Sequence, residues 1–166
     1  MDTPAAPLPE AHRKALHAIL ASLEGEPVEW ALTGSSGMAL QGMPFEPRDI
    51  DIQTDADGAY QIERLLAAYT VKPVRYVESQ NMRSHLGMFA INGVQVEVMG
   101  AIQKRLDDQT WEEPVQVGQH RLWVNFEGLR VAVLSLEYEY QAYLRMGRVE
   151  KAEKIRAWLD RKGTHS

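Results

Sequence analysis

An apolar run ending Ala31-Leu32-Thr33 meets Gly34-Ser35, and beyond the spacer 36–48 a second run carries Asp49-Ile50-Asp51-Ile52. Such a chain must leave a buried strand, turn at a glycine into a short helix, and come back as another strand. A Gly-Ser turn opening a helix offers backbone N–H groups and hydroxyls to phosphate oxygens. Two carboxylates at i and i+2 of one strand share a face and can share divalent cations. A phosphate cradle beside a metal pair suits phosphoryl or nucleotidyl transfer.

The remaining pattern supplies a frame for this unit. Residues 10–24 fit an amphipathic helix with Leu16, Ile19, Leu20 and Leu23 on one side, stopped at Gly25 and Pro27. Residues 28–33 read as a strand and 35–41 as a short helix. Asp57 is a candidate cap for a helix reaching Tyr69, and 74–77 is a short strand. Leu86–Ile91 and Val94–Val98 flank Asn92-Gly93, the preferred pair for a two-residue hairpin turn. Val94, Val96 and Val98 alternate with Gln95 and Glu97, so the valines face the core and Glu97 the other side. Short strands fill 115–134, broken at Gly118 and Glu127-Gly128, and two helices divided at Gly147 fill the rest. The expected fold is α/β (α+β), a mixed sheet with flanking helices and a C-terminal helical segment. It is expected as a single domain over 1–166: a loose tail 1–9, a helix 10–24, a core 28–134 and C-terminal helices 135–162.

Composition narrows the class. The chain of 166 residues has no cysteine, which excludes disulfides, thiolate metal sites and cysteine nucleophiles, and suits the cytoplasm. No apolar stretch approaches the roughly 18 residues of a membrane span, so no membrane partner is expected. A net charge of −5 gives no general support for nucleic-acid binding.

Asp49, Asp51 and Glu97 converge on one open face if their strands are neighbours. Two metals about 3.5–4 Å apart would then activate an attacking oxygen and stabilise a leaving phosphate. Here the chain resembles the polymerase-beta-like nucleotidyltransferase superfamily, and within it the small stand-alone prokaryotic (minimal) nucleotidyltransferases. The resemblance rests on Leu32, Gly34-Ser35, the spacer, Asp49-Ile50-Asp51-Ile52 and Glu97, with Thr33 placed between the apolar residue and the glycine. Arg83-Ser84-His85-Leu86-Gly87, the run Asn92 to Gly100, and Val133 to Glu137 leading into Gly147-Arg148 extend it over roughly 28–160. It implies an enzyme of the two-metal-ion type using Mg2+ (or Mn2+), which moves a nucleoside monophosphate from a nucleoside triphosphate to an acceptor hydroxyl and releases pyrophosphate. Asp49, Asp51 and Glu97 would be the catalytic metal ligands, and Gly34 and Ser35 would hold the triphosphate. The acceptor is left open between a protein side chain, a small molecule and a nucleic-acid 3′ end.

Several residues keep two readings. Ser36 belongs to the nucleotide site or caps the helix beginning there. Arg48 neutralises the triphosphate or pairs with Glu46 or Asp49. Arg83 and His85 meet the acceptor or form a polar hairpin edge. Arg145, Arg148, Lys151 and Lys154 are a solvated basic face or lie near the nucleotide or the acceptor. Trp30 reads as core, while Trp111 and Trp123 are left between core and groove. The alternative functions are a catalytically silent nucleotide- or partner-binding module, and a template-independent or primer-extending activity on nucleic acid.

Overall fold

A computed structural model of the protein describes residues 8–162. Its first helix, α1 (Glu10–Leu23), buries Ala15, Leu16, Ile19 and Leu23, the stripe that the sequence spacing predicts. The four-residue strand β1 (Trp30–Thr33) is buried throughout and passes at Gly34 into α2 (Gly34–Leu40). β2 (Ile50–Thr54) follows, then α3 (Ala56–Leu65) and a 3₁₀ turn, Ala67–Tyr69. Three long strands come next: β3 (Thr70–Glu78), β4 (Met82–Ile91) and β5 (Val94–Lys104). After a second 3₁₀ turn at Val117–Gln119, β6 (Arg121–Phe126) and β7 (Leu129–Leu134) form a hairpin. The described chain ends in α4 (Leu136–Arg145) and α5 (Val149–Lys162).

The seven strands form one mixed sheet in the order β3-β4-β5-β2-β1-β7-β6. β2 runs antiparallel to β1 and parallel to β5. Ile50 and Ile52 of β2, with Val94, Val96 and Val98 of β5, join α1 and α3 in the main core. Strand alternation then sends Asp51, Gln53, Gln95, Glu97 and Met99 to the opposite face. Part of that face is covered by α4, whose Tyr138 and Ala142 pack with Ala31, Ala132 and Leu134. A third cluster, including Met38, Met43, Tyr143, Ala152 and Ile155, fastens α5 over α2 and the following loop.

Several expectations change, among them the end of α3, which stops at Leu65 rather than Tyr69, and the start of β4, at Met82 rather than Leu86. Leu8, placed in the loose tail, is buried in the main core; the rest of that tail, residues 1–7, lies outside the described residues. α3 is capped by Asp55, whose side chain accepts from the Gly58 amide at 2.6 Å; Asp57 sits inside the first turn. The strand expected at 74–77 spans 70–78, because this edge strand buries only Val74 in the core and so shows no apolar alternation along its length. β5 runs on past Val98 to Lys104 through a bulge at Ala101, whose φ is +54°.

Candidate active site

The residues that position the site are those of the strand-to-helix turn. Gly34 has φ +68°, a left-handed conformation that glycine adopts without strain. A Cβ here would lie 2.7 Å from Asp51 Oδ2, so the turn and the carboxylate approach as closely as they do only because residue 34 is glycine. The two serines after it fasten the spacer. Ser35 Oγ accepts from the Arg48 amide at 3.1 Å, and buried Ser36 Oγ donates to the Asp49 carbonyl at 2.8 Å. Ser36 is therefore a tie between α2 and the strand of the aspartates. Arg48 is held through its backbone, its carbonyl lying 2.6 Å from His12 Nε2.

Asp51 and Glu97 are cross-strand partners on β2 and β5, and Asp49 lies one step before β2 on the same face. Gln95 Nε2 donates to Asp49 Oδ2 at 3.3 Å and to Glu97 Oε1 at 3.2 Å. One amide nitrogen thus sits between two of the three carboxylates. Burial, then the charges of Glu97 and Asp49, push the Asp51 carboxyl up to about 7, against a lowering pull from Lys151. A carboxylate so disfavoured marks a place short of positive charge. The all-oxygen donor set fits a hard divalent cation. It is not drawn together in advance: no three His, Asp or Glu side chains among the described residues already gather around a common point. Asp49 and Glu97 would hold such a cation once the Gln95 amide between them has moved aside.

Two further groups close the site. Lys151 of α5 lies over the Tyr143 ring at 5.1 Å and the Phe45 ring at 6.0 Å. Its ammonium is lowered by burial, then by the neighbouring cations Arg148, Arg48 and Lys154. Lys151, which acts on Asp51, thus has three other basic side chains around it. Arg145 faces elsewhere and pairs with Glu112 at 3.5 Å. The other group is Glu139 of α4, which is 4% exposed and accepts from the Thr33 hydroxyl. Burial pushes its carboxyl up to about 7, while Thr33, the Gly34 amide and Lys104 favour the charged form. Glu139 gives no sign of this role in the sequence, because Leu136-Glu137-Tyr138-Glu139-Tyr140 reads as the solvated start of an amphipathic helix. Gln95 gives none either. Lys151 had a signal in its basic cluster.

Arg83 and His85 are not brought to the carboxylates. His85 Nδ1 meets the Tyr60 hydroxyl at 2.9 Å on the α3 side of the sheet, opposite Glu97. Arg83 hydrogen-bonds Gln103 at 3.0 Å and stacks on Trp111, which has Arg105 as a second guanidinium neighbour. Trp123 is 48% exposed and borders Arg121 and Arg130.

The family model of the aminoglycoside-2''-adenylyltransferases matches residues 15–160. The chain belongs to this family. A candidate nucleotidyltransferase from Thermotoga maritima is 48% identical, over 93% of this chain and 96% of that one, with a TM-score of 0.83. The lincosamide adenylyltransferase LnuA, solved with lincomycin, shares the fold at 17% identity and a TM-score of 0.55, over 90% and 99% of the two chains. ANT(2'')-Ia, solved with adenylyl-2''-tobramycin, does so at 13% identity and a TM-score of 0.57, over 89% of each chain. Among curated sequences none matches. The architecture is that of the nucleotidyltransferases, and nucleotidyl transfer is the family's chemistry. No helix among the described residues is long and apolar enough to cross a membrane.

Proposed function

We propose that the protein transfers an adenylyl group from ATP to the hydroxyl of a small molecule, with Mg2+ (or Mn2+) held by Asp49, Asp51 and Glu97. The observation that carries this reading is the Asp51–Glu97 cross-strand pair set against Gly34, with Asp51 raised to about 7 and Lys151 acting on it. A bound divalent cation would supply charge neutralisation and a more acidic attacking hydroxyl. Ser35, the amides of the turn, Arg48 and Lys151 hold the β- and γ-phosphates. Glu97 takes the acceptor's proton as the new O–P bond forms. The bond between the α-phosphorus and its bridging oxygen breaks, and pyrophosphate leaves toward Lys151 and Arg48. Positioning and charge carry such catalysis, with no separate nucleophilic side chain. The family's activity supports a small-molecule acceptor.

The test is calorimetric titration with a non-hydrolysable ATP analogue and Mg2+, followed by pyrophosphate release with hydroxylated acceptors. The parent should bind the analogue and Asp51→Asn should release no pyrophosphate; release at the parent rate by that variant removes Asp51 from the reaction. A second reading, nucleotide binding without transfer, is favoured by the Gln95 amide lodged between Asp49 and Glu97. Nucleotide binding that is indifferent to Mg2+ would support it.

A further inference from the structure

β7 runs parallel to β1, with Leu32 opposite Val133, and passes at the Ser135 cap into α4. So short a connection lays the first turns of α4 on β1, where Tyr138 and Ala142 pack with Ala31. Thr33 shares the face of Ala31, two residues along the strand. Its hydroxyl donates to the buried Glu139 carboxyl, and the Gly34 amide is hydrogen-bonded to the same group. One side chain of α4 thus holds both residues of the bend. Those residues also meet Asp51. Thr33 is its cross-strand partner, and a Cβ on Gly34 would lie 2.7 Å from its Oδ2.

Stability does not account for a carboxyl at this place. Burial disfavours its charged form, and well-packed apolar side chains often serve a buried ionic site as well. Neutralising Lys104 does not account for it either, because Glu112 lies 3.5 Å from that ammonium. At 4% exposure Glu139 does not reach a substrate, so it is no catalytic residue. Its remaining contacts are the two donors of the bend. We infer that Glu139 is a positioning residue of the nucleotide site: it fixes the Thr33–Gly34 bend from α4, and through Gly34 it sets where the Asp51 carboxylate stands. The acceptor oxygen does the holding, so glutamine serves at this position and leucine does not. This inference rests on the proposed adenylyl transfer, which makes the bend and Asp51 the place where nucleotide and cation are held.

The test uses the whole chain and two readouts. Thr33-Gly34 is the one Thr-Gly step in the sequence, so carbonyl-13C threonine with 15N-glycine singles out the Gly34 amide by NMR. In the metal-free protein its proton should move upfield in Glu139→Leu, which removes the acceptor. The second readout is calorimetric affinity for a non-hydrolysable ATP analogue with Mg2+, taken well below the lowest melting point of the set. Glu139→Leu should bind at least about tenfold more weakly than the parent, and Glu139→Gln within about threefold of it. Thr33→Val keeps the shape of threonine without the hydroxyl and should also weaken binding. Thr33→Val/Glu139→Leu should bind no more weakly than Glu139→Leu, because both changes release the same bend. Where Glu139→Leu does not fold, Thr33→Val decides: binding equal to the parent overturns the inference. So does parent-like binding by Glu139→Leu, a Glu139→Gln as weak as Glu139→Leu, full multiplication of the two effects, or an unmoved Gly34 proton. Failure of the parent to bind the analogue overturns the proposed adenylyl transfer, and the inference with it. Normal parent binding together with any of the other adverse results overturns the inference alone.

Discussion

Replacing Gly34 by alanine separates two costs that the turn combines. The first is backbone: an L-residue with φ near +68° costs about 1–2 kcal/mol. Gly25 isolates this cost, with φ +74° and nothing within 4 Å of an added Cβ. In a chain of this size each kcal/mol moves Tm by about 2–4 °C, so Gly25→Ala should melt roughly 2–8 °C lower and keep its activity. Gly34→Ala carries the same backbone cost and a collision, because its Cβ would sit 2.7 Å from Asp51 Oδ2. Ordinary contact requires the carboxylate to retreat by a good part of an ångström, and misplacement of about 1 Å at a reacting centre costs on the order of 100-fold in rate. The assay is a thermal melt paired with pyrophosphate release for both variants. Activity of Gly34→Ala within about threefold of Gly25→Ala would refute the claim that this glycine sets the place of Asp51.

Glu139 has a raised carboxyl, so its ionised form is disfavoured in the fold, and stability is lost as pH climbs from about 4.5 toward 7. Glu139→Gln lacks that titration, and in metal-free buffer its Tm should gain on the parent across that window; parallel curves would show that Glu139 does not titrate there. Lys104 is 5% exposed and lies 3.5 Å from Glu112, so Glu112→Ala leaves a buried cation unpaired and should cost about 3–5 kcal/mol in chemical denaturation. Lys104→Met/Glu112→Leu should recover most of that loss, and a double variant as unstable as the single would contradict it. Ser36→Ala removes a buried hydroxyl and leaves the part-buried Asp49 carbonyl without that donor, at a cost of about 1–3 kcal/mol, whereas Ser35→Ala, at an exposed bond, should cost less; equal melting points would reject that ordering.

The half of the site that one strand, one turn and one hairpin can encode was legible. Gly34, Asp49 and Asp51 are close in sequence, and the valine alternation of β5 shows that Glu97 faces away from the core. What local pattern cannot encode is which strands become neighbours and which helix falls across them. Glu139 looks solvated beside Tyr138 and Tyr140. It is buried because β7 lies parallel to β1 and delivers α4 onto the end of that strand. His85, left open between the acceptor and a polar hairpin edge, occupies a strand position facing α3, which local pattern does not reveal either. The helix cap slipped from Asp55 to Asp57 because two aspartates stand near one helix start, and the Asp55–Gly58 spacing decides between them.

β2 is the fourth of seven strands, with partners on both sides, so its amides belong among the last to exchange with solvent. Asp51 is therefore anchored in the stiffest part of the molecule. Lys151 rides instead on a helix joined to α4 through Gly147, whose φ is +75° and beside which a Cβ would meet nothing within 4 Å. The carboxylate thus belongs to the sheet, and the ammonium to a helix outside it that is held down by the packing of Ala152, Ile155 and Leu159.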